Sequence, residues 1–449
     1  MTLPVFGFSV AGLCRNLRLP FGESTGSLSK MRPWRRFGGA AVALAAVLGL
    51  GAAPATAQHA DNAWMRALQP GYAGPDFSER EFIREWEASP AKGLPTLSPS
   101  NLGPTKAAIA RYAAIAAKGG WRKLPDVKLE QGSNHPAVVL LRERLRMSGE
   151  LAEGGASEHF DYELGQAVRR YQTANGLAPT GVVDKGTIMA MNVPAASRLK
   201  QLRANLARLG ELSKTARKYV MVNVPAAQIE AVENDAVVSR HAGIVGKIDR
   251  PTPILKSAIH ELNFNAVWHL PPTVIEKDLI PTGQAMARRG QSVLVKYKID
   301  AYGGDGRKLE PRKINWEAPG AKGLTYRQQP GPENPLGFVK MNFANAHSVY
   351  MHDTPGQSLF GRSFRAASSG CVRIAGIEAL AAWVVAEQGW RPEHVRQMKE
   401  TGERRDVRLK TPIPLYFAYI TAWATRDGAV HFRRDIYNKD GIGAQASAY

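Results

Sequence analysis

Three side chains in the C-terminal part of this sequence could together activate a sulfur nucleophile. His352 ends an apolar segment, Cys371 follows it further along the chain, and Arg373 comes shortly after the cysteine. A free thiol is mostly protonated at neutral pH, because its pKa is about 8.5. A neighbouring imidazole can accept the thiol proton, and a nearby guanidinium favours the anion. These residue types indicate a thiol nucleophile, Cys371, with His352 as its base.

The residues just before Cys371 favour a tight turn. Ser368, Ser369 and Gly370 precede the cysteine, and glycine can adopt backbone conformations that other residues avoid. In such a turn, the backbone N–H groups of Ser369, Gly370 and Cys371 could converge on a developing oxyanion, and one such donor is typically worth about 2.7–4 kcal/mol. On composition alone, Cys371 could instead be a small core residue, and His352 a hydrogen-bonded histidine at a strand end.

Strands are expected to position these residues. From residue 219 onward, apolar segments are separated by Pro and Gly turns, which is typical of a mainly-β domain with some helices. The predicted strands are 219–224, 236–244, 293–299 and 339–351, and the clearest helix is 377–387. A long segment between Pro272 and Pro330 interrupts the strands, and an insertion of this length is usually a lid or a binding element.

The chain before these strands is expected to be helical and to form further domains. A sequence of 449 residues is too long for one hydrophobic core. Residues 62–125 have the pattern of a helical scaffold, and 126–193 that of a three-helix unit. Residues 195–214 carry an apolar stripe with basic flanks, which indicates a connecting helix. The predicted fold class is therefore multi-domain α+β.

Residues 1–57 have the three parts of a secretory signal. A basic head at 31–36 precedes an apolar run, and small residues at 55–57 are typical of a cleavage site. We therefore predict an exported protein of the periplasm or cell envelope, with a mature start near Gln58; the true start could be Met1 or Met31. The apolar run is shorter than the ~20 residues of a membrane helix, so no transmembrane span is expected in the mature chain.

The charge and the cysteine content narrow the class of partner and of cofactor. The formal net charge is +20, which in an exported protein suits the anionic polymers of the cell wall or the membrane surface. The usual nucleic-acid motifs are absent from the sequence, so no nucleic acid is expected as partner. Two cysteines are too few for a disulfide scaffold. No histidine pair has helical ligand spacing, so we expect neither a metal nor another cofactor.

The unit 126–193 resembles the peptidoglycan-binding type 1 domain, which is a small three-helix bundle. The resemblance rests on Phe160-Asp161, on Tyr171-Gln172, on Gly176-Leu177 and on the turn from Thr180 to Asp184. It implies that this unit binds the cell wall. The alternative is a three-helix spacer that has lost its ligand groove.

The C-terminal half resembles the YkuD-type L,D-transpeptidases. The signature consists of Tyr350-Met351-His352-Asp353-Thr354-Pro355 and Ser368-Ser369-Gly370-Cys371-Val372-Arg373. Further matches include 245–247, 268–272 and 330–337. Together they are most similar to the large, periplasmic, lid-bearing subgroup, which is YcbB-like. This resemblance implies a catalytic domain over 216–440, with a capping insertion at about 275–326.

The same resemblance implies roles for individual residues and a reaction. Cys371 would be the nucleophile and His352 its base, and the remaining site residues would bind the oxyanion or the substrate. Those remaining residues are Ser369, Gly370, Tyr350, Arg373, Ser368 and Trp268. The implied substrates are peptidoglycan tetrapeptide stems, which would be joined by 3-3 cross-links or attached to a lipoprotein lysine, with release of D-alanine.

Two other functions are compatible with these residues. The first is an L,D-carboxypeptidase or endopeptidase that hydrolyses stems, although papain-like wall peptidases place Cys before His and this chain has the opposite order. The second is a wall-binding protein without catalytic activity, but every catalytic group that the resemblance requires is present in the sequence.

Overall fold

The computed structural model describes residue 81 and residues 92–212, 216–362 and 364–442. The predicted signal segment 1–57, the start at Gln58, most of the scaffold before residue 92 and the end of the connecting helix lie outside these residues. The described helices are α1 (Leu102–Ala117), α2 (Ala137–Ser148), α3 (Tyr162–Ala174), α4 (Lys185–Met191), α5 (Ala195–Leu212), α6 (Pro272–Val274), α7 (Ile280–Ala287), α8 (Val293–Lys296), α9 (Ile377–Val385) and α10 (Pro392–Thr401). None of the described helices has the length and apolar character that a membrane span requires.

The described strands belong to three sheets. They are β1 (Lys218–Asn223), β2 (Gln228–Glu233), β3 (Ala236–Gly246), β4 (Leu255–Phe264), β5 (Trp268–His269), β6 (Ile299–Tyr302), β7 (Lys308–Leu309), β8 (Thr325–Gln328), β9 (Val339–Phe343), β10 (Met351–His352), β11 (Ala366–Ser368), β12 (Val372–Ile374), β13 (Arg405–Ala418), β14 (Ala422–Ala424) and β15 (Val430–Phe432).

The main sheet has nine strands in the order β11-β3-β12-β10-β9-β4-β13-β1-β2. The long strand β3 pairs with β2 along its first part and with β12 and β11 along its last residues. Because β3 is second and β2 last in this order, their pairing closes the sheet on itself, as in a barrel. Alternate residues of the strands fill its interior, among them Val220, Val222, Leu415 and Phe417.

One predicted strand is wrong. Most of the predicted strand 293–299 is the short helix α8, which Ser292 caps by accepting a hydrogen bond from the Val295 N–H at 3.4 Å. Strand β6 begins only at Ile299, after Lys298, which has a φ of 52°. A run of apolar residues this short does not distinguish a strand from a helix.

The predicted strand over 339–351 is two strands, β9 and β10, in an antiparallel hairpin. Asn345 closes the turn between them. Its Oδ1 accepts a hydrogen bond from the Val349 N–H at 3.1 Å, and its Nδ2 donates to the Val349 carbonyl at 2.8 Å. The turn therefore brings His352 into register with Lys340.

The segment between β4 and β9 forms a unit that we name the cap (residues 268–336). Its sheet has the order β5-β8-β6-β7, and the cap has its own buried apolar cluster. Helices α6 and α7 are joined by a π-helical turn at Ile275–Leu279. A Cβ at Gly283 of α7 would overlap the Trp316 ring, so the helix can approach the ring only with glycine there. The bounds of 275–326 expected for the insertion fall inside this unit.

The helical part of the structure has two groups of helices. Helices α2, α3 and α4 share a core to which Leu141, Leu164 and Met191 contribute. Asp161 and Asp184 cap α3 and α4 by accepting hydrogen bonds from backbone N–H groups at 2.8 and 2.7 Å. Helices α1 and α5 instead pack on the hairpin β14–β15. The predicted multi-domain α+β fold, with a mainly-β domain and a three-helix unit, is confirmed.

Candidate active site

Three neighbouring strands carry polar residues on one face of the main sheet. Strand β10 pairs with β12 in parallel and with β9 antiparallel, so His352 stands between Arg373 and Lys340. The adjacent position, Met351, is fully buried and belongs to the core. Because successive side chains point to opposite faces of a strand, the row of His352, Arg373 and Lys340 faces away from that core.

Cys371 lies directly before β12, beside Tyr350, which lies directly before β10. The backbone N–H and the hydroxyl of Tyr350 both make hydrogen bonds to the Cys371 sulfur. The same hydroxyl accepts a hydrogen bond from Trp268 Nε1 at 2.8 Å. An indole nitrogen can only donate, so this bond leaves the Tyr350 proton available for the sulfur. Trp268, Tyr350 and Cys371 therefore form one hydrogen-bond chain that begins in the cap.

The environment of Cys371 keeps its thiol protonated until a base acts on it. Burial raises the pKa of the Cys371 thiol, while the hydrogen bonds from Tyr350 and the charges of Arg373 and Lys340 act in the opposite direction. A protonated thiol needs a base when it attacks a carbonyl. The groups that oppose the effect of burial are the ones that would stabilise the thiolate once it forms.

His352 is buried, with 5% of its surface exposed. Its Nδ1 lies 2.5 Å from the Asp353 carbonyl oxygen, an acceptor that favours the tautomer with the proton on Nδ1. Burial, followed by the charge of Arg373, lowers the pKa of His352 to about 3, and hydrogen bonds to the Asp353 and Pro335 carbonyls act in the opposite direction. The imidazole is therefore neutral at physiological pH and can accept a proton. Its ring contacts the Tyr350 ring at 5.6 Å between centroids.

Arg373 acts on the thiol and on the imidazole in opposite senses. The guanidinium is buried, which lowers the pKa of Arg373 to about 10, so it still carries its charge at neutral pH. That charge favours a thiolate at Cys371 and disfavours a protonated ring at His352. Arg373 would therefore favour passing a proton on from His352 in any reaction in which the Cys371 thiol gives its proton to that ring.

Side-chain hydrogen bonds hold the turn before Cys371. Gly370 has a φ of 119°, a conformation that favours glycine. Ser368 is buried, and its Oγ accepts a hydrogen bond from the Gly370 N–H at 3.1 Å and donates to the Cys371 carbonyl at 2.6 Å. The Gly370 N–H is therefore occupied, which leaves the N–H groups of Ser369 and Cys371 from the predicted set of oxyanion donors.

The loop between β3 and β4 connects this turn to the cap. Thr252 Oγ1 donates to the Gly370 carbonyl at 2.8 Å, and Arg250 Nη1 donates to Ser369 Oγ at 2.9 Å. Arg250 also makes two hydrogen bonds to Asp278 in the π-helical turn of the cap, at 2.8 and 3.2 Å. The Arg250 and Asp278 side chains are only 11% and 3% exposed. This ion pair fixes the cap to the turn that holds the cysteine.

We expect Asp278→Asn to lower the free energy of unfolding by about 3 kcal/mol, because it leaves the desolvated Arg250 charge without its counter-charge. Asp249→Asn is the matched control. The Asp249 side chain is 64% exposed and lies 3.6 Å from the same guanidinium, and an exposed pair of this kind is worth about 0–1 kcal/mol. Urea unfolding of both variants measures the difference. Equal losses in the two variants would contradict the bridging role of Asp278.

The structure adds residues that the sequence analysis did not identify as parts of the site. Lys340 could have been found from the sequence, because it alternates with the apolar residues Val339 and Met341 as in a half-buried strand. Asp278 could not have been found in this way, because its partner Arg250 belongs to a different loop and only the folded chain brings the two together.

Two family models match the chain. Residues 217–413 match the YkuD model, described as "L,D-transpeptidase catalytic domain". Residues 134–191 match a model described as "Putative peptidoglycan binding domain".

Known proteins with similarity to this chain have the same kind of description. A Haemophilus influenzae protein described as "Putative L,D-transpeptidase" is 28% identical over 222 residues, which are 49% of this chain and 44% of that protein. The chain therefore matches less than half the length of this relative. A solved L,D-transpeptidase from Xylanimonas cellulosilytica is 14% identical with a TM-score of 0.22, and covers 66% of this chain and 98% of its own.

A second solved L,D-transpeptidase, from Stackebrandtia nassauensis, is 12% identical with a TM-score of 0.25, and covers 68% of this chain and 98% of its own. TM-scores this low do not by themselves establish a common fold. The family models, in contrast, match continuous segments that coincide with the main sheet and the helical bundle. Residues 217–413 therefore match the YkuD family of L,D-transpeptidase catalytic domains, and residues 134–191 match a family of putative peptidoglycan-binding domains.

Proposed function

We propose that this protein is an L,D-transpeptidase that forms a thioester between Cys371 and a peptidoglycan tetrapeptide stem. The observation that carries the proposal is the hydrogen-bond chain from Trp268 through Tyr350 to the Cys371 sulfur, on the sheet face that also holds His352 and Arg373. A thiol with two hydrogen-bond donors and a neutral imidazole on the neighbouring strand is suited to acyl transfer. The match of the C-terminal domain to the family supports the same reaction class.

In the first half-reaction, the Cys371 sulfur attacks the carbonyl of the third stem residue while His352 takes the thiol proton. A C–S bond forms, and the oxyanion accepts hydrogen bonds from the Cys371 N–H and the Tyr350 hydroxyl. His352 then gives its proton to the leaving nitrogen as the C–N bond breaks. D-Alanine departs, and a thioester remains on the sulfur.

In the second half-reaction, an amine attacks the thioester and restores the thiol. The side-chain amine of a second stem would give a 3-3 cross-link, and a lipoprotein lysine would give an attached protein. His352 accepts the proton of the attacking amine and returns one to the Cys371 sulfur. With water as the acceptor, the product would be a tripeptide and the enzyme a carboxypeptidase.

Mass spectrometry of the products tests this reaction. Purified protein incubated with disaccharide-tetrapeptide muropeptides should yield cross-linked dimers and free D-alanine. Tripeptide without dimers would contradict transfer and support the hydrolytic alternative. Conversion of added dimers to monomers would support an endopeptidase instead.

We also propose that the peptidoglycan-binding domain holds the enzyme on the cell wall after export to the periplasm. A surface cleft beside helix α4 is lined by two lysines, Lys123 and Lys185, by one carboxylate, Asp126, and by apolar residues such as Ile188; this mixture of charges suits peptides that carry both carboxylates and amines. Pull-down on isolated sacculi should retain the full chain and lose a Lys123→Glu/Lys185→Glu variant.

The limits 216–440 for the catalytic domain and membership in the lid-bearing subgroup are also part of our proposal. The cap between β4 and β9 supports both.

We expect Tyr350→Phe to lower kcat/KM for D-alanine release by about 10- to 100-fold, because a hydrogen bond to a charged group is worth about 1.5–3 kcal/mol. The same change should raise the pKa of the Cys371 thiol, which the pH dependence of alkylation by iodoacetamide measures. Trp268→Phe is the matched comparison, because it removes only the bond that orients the hydroxyl, and its effect should be smaller. An unchanged thiol pKa in Tyr350→Phe would contradict the hydrogen bond to the sulfur.

A further inference from the structure

A half-buried ammonium group beside the thiol has no acidic partner in the part of the chain that the structure describes. Lys340 on β9 is in register with His352, and its Nζ lies 4.5 Å from the centroid of the Tyr350 ring. Its acidic neighbours Glu261 and Asp406 influence it only from beyond ion-pair distance. Both of these carboxylates accept hydrogen bonds from Asn263. The charge of Lys340 is therefore directed into the site and not into a structural ion pair.

Burying an ammonium group without a counter-ion costs free energy. At Lys340 this cost lowers the pKa of the side chain, and the charge of a Cys371 thiolate would act in the opposite direction. An anion bound from solution would offset the cost in the same way. The position of Lys340 is therefore one at which an anionic ligand gains binding free energy.

Further cations surround the same space at the base of the cap. The like charges of Arg327, Lys340 and Arg404 all act on His269, whose pKa is lowered first by burial and then by these three groups. His269 and Arg327 are in register on the paired strands β5 and β8 of the cap. Trp268, the neighbour of His269, reaches the Tyr350 hydroxyl from the same strand. We name Lys340, Arg327 and Arg404 the cationic patch; His269, whose pKa these charges lower, is the neutral residue on which all three act.

Lys340 lies on the far side of the Tyr350 ring from the sulfur, where a group just beyond the cleaved bond could reach it. The Tyr350 ring separates Lys340 from the sulfur, since Nζ lies over the ring and the hydroxyl contacts Cys371. In the donor stem, the terminal carboxylate is one peptide unit from the scissile carbonyl, or about 4 Å. The substrate of the proposed reaction thus carries an anion close to the bond that is cleaved.

We propose that Lys340 binds the terminal carboxylate of the donor stem and thereby selects stems that end one residue after the scissile bond. This inference rests on the proposed function, and it adds a specificity-determining residue to it. Arg327 and Arg404 extend the cationic patch toward solvent and attract the carboxylate as it enters. A role of Lys340 only in stabilising the thiolate is the competing explanation, because its charge also favours the Cys371 anion.

Two substrates separate these explanations. One is the tetrapeptide stem that ends in D-alanine, and the other is the same stem ending in D-alaninamide, which lacks the negative charge. For the wild-type chain, kcat/KM should be about 10- to 100-fold higher with the acid, as expected for a charge-assisted hydrogen bond. Lys340→Gln should lose this preference, because its kcat/KM should fall further on the acid than on the amide, and Lys340→Arg should retain most of the preference.

One control variant and two possible results decide between these explanations. Lys256→Gln, at an exposed lysine of β4, should behave like the wild type. Equal losses on the acid and the amide in Lys340→Gln would overturn the proposal in favour of thiolate stabilisation, and so would a wild-type chain that does not distinguish the two substrates. The comparison of the acid and the amide on the wild-type chain needs no variant, so it still tests the proposal if Lys340→Gln fails to fold.

A binding measurement separates failure of this inference from failure of the proposed function. Calorimetric titration of the Cys371→Ala chain with both peptides does not depend on turnover. Tighter binding of the acid, lost in the Cys371→Ala/Lys340→Gln chain, would support the carboxylate site even if the wild type released no D-alanine. Equal affinities for both peptides would overturn the carboxylate site while leaving transpeptidation unaffected.

Discussion

Replacing Cys371 by Ala should abolish D-alanine release, with kcat/KM falling by at least about 10⁴-fold. In the proposed reaction the sulfur supplies the bond that carries the acyl group, whereas Tyr350 and Trp268 would orient and stabilise it. A carbapenem tests the covalent step directly, because a β-lactam that acylates the nucleophile leaves its mass on the protein. Intact-protein mass spectrometry with imipenem should therefore show an adduct on the wild type and none on Cys371→Ala.

The sequence offers a matched control for this experiment. Cys14 is its other cysteine, and in the full-length chain, which still carries the predicted signal segment, Cys14→Ser should form the adduct as the wild type does. The Cys371→Ala chain should still bind isolated sacculi, since the peptidoglycan-binding domain is a separate segment. An imipenem adduct on Cys371→Ala, or its loss in Cys14→Ser, would place the nucleophile elsewhere.

The parts of the site that the sequence predicted are those that lie in short continuous segments. His352, Cys371 and Arg373 are identified by residue type and local pattern, and the strand register then shows that β10 and β12 are neighbours. The turn residues Ser368 and Gly370 were also predictable, because a turn depends on local backbone preferences. A local sequence pattern does not show which hydrogen-bond donors already have a partner. The Gly370 N–H, for example, already donates to Ser368 Oγ.

The parts that the sequence did not predict depend on contacts between distant segments. The ion pair between Arg250 and Asp278 joins a loop of the main sheet to the cap. The helix at Val293–Lys296 was predicted as a strand, because a segment of four residues is too short to show helical periodicity. Lys340 lies in a strand that was predicted, but its position beside His352 follows from the hairpin at Asn345.

Replacing His352 by Gln should lower kcat/KM at pH 7 by about 10³-fold, which is within the range for loss of a general base. The reason is that the thiol of Cys371 is protonated at this pH, and without the imidazole only solvent can remove its proton. The activity that remains should therefore rise about tenfold for each pH unit, because it depends on the fraction of thiolate. Release of D-alanine between pH 6 and 9 measures this slope.

The wild-type enzyme should show a different pH dependence. Burial lowers the pKa of His352 to about 3, so the acid limb of kcat/KM moves from the usual value near 6.5 to about 3. Burial raises the pKa of the Cys371 thiol, which moves the alkaline limb upward. The neutral pair needed for attack therefore persists across pH 5 to 8, and kcat/KM should stay nearly constant from pH 8 to pH 6.5.

A shallow inflection near pH 6 has a separate origin, because burial raises the pKa of Asp353 to about 6. The Asp353 carboxylate accepts a hydrogen bond from the Phe338 N–H at 3.0 Å and so holds the segment that includes Pro335, whose carbonyl faces His352. Protonation of Asp353 weakens that hydrogen bond, and Asp353→Asn should remove the inflection without creating one at pH 6.5. An acid limb at 6.5 that persists in Asp353→Asn would mean that His352 titrates as an exposed imidazole, and the buried-base mechanism would then be wrong.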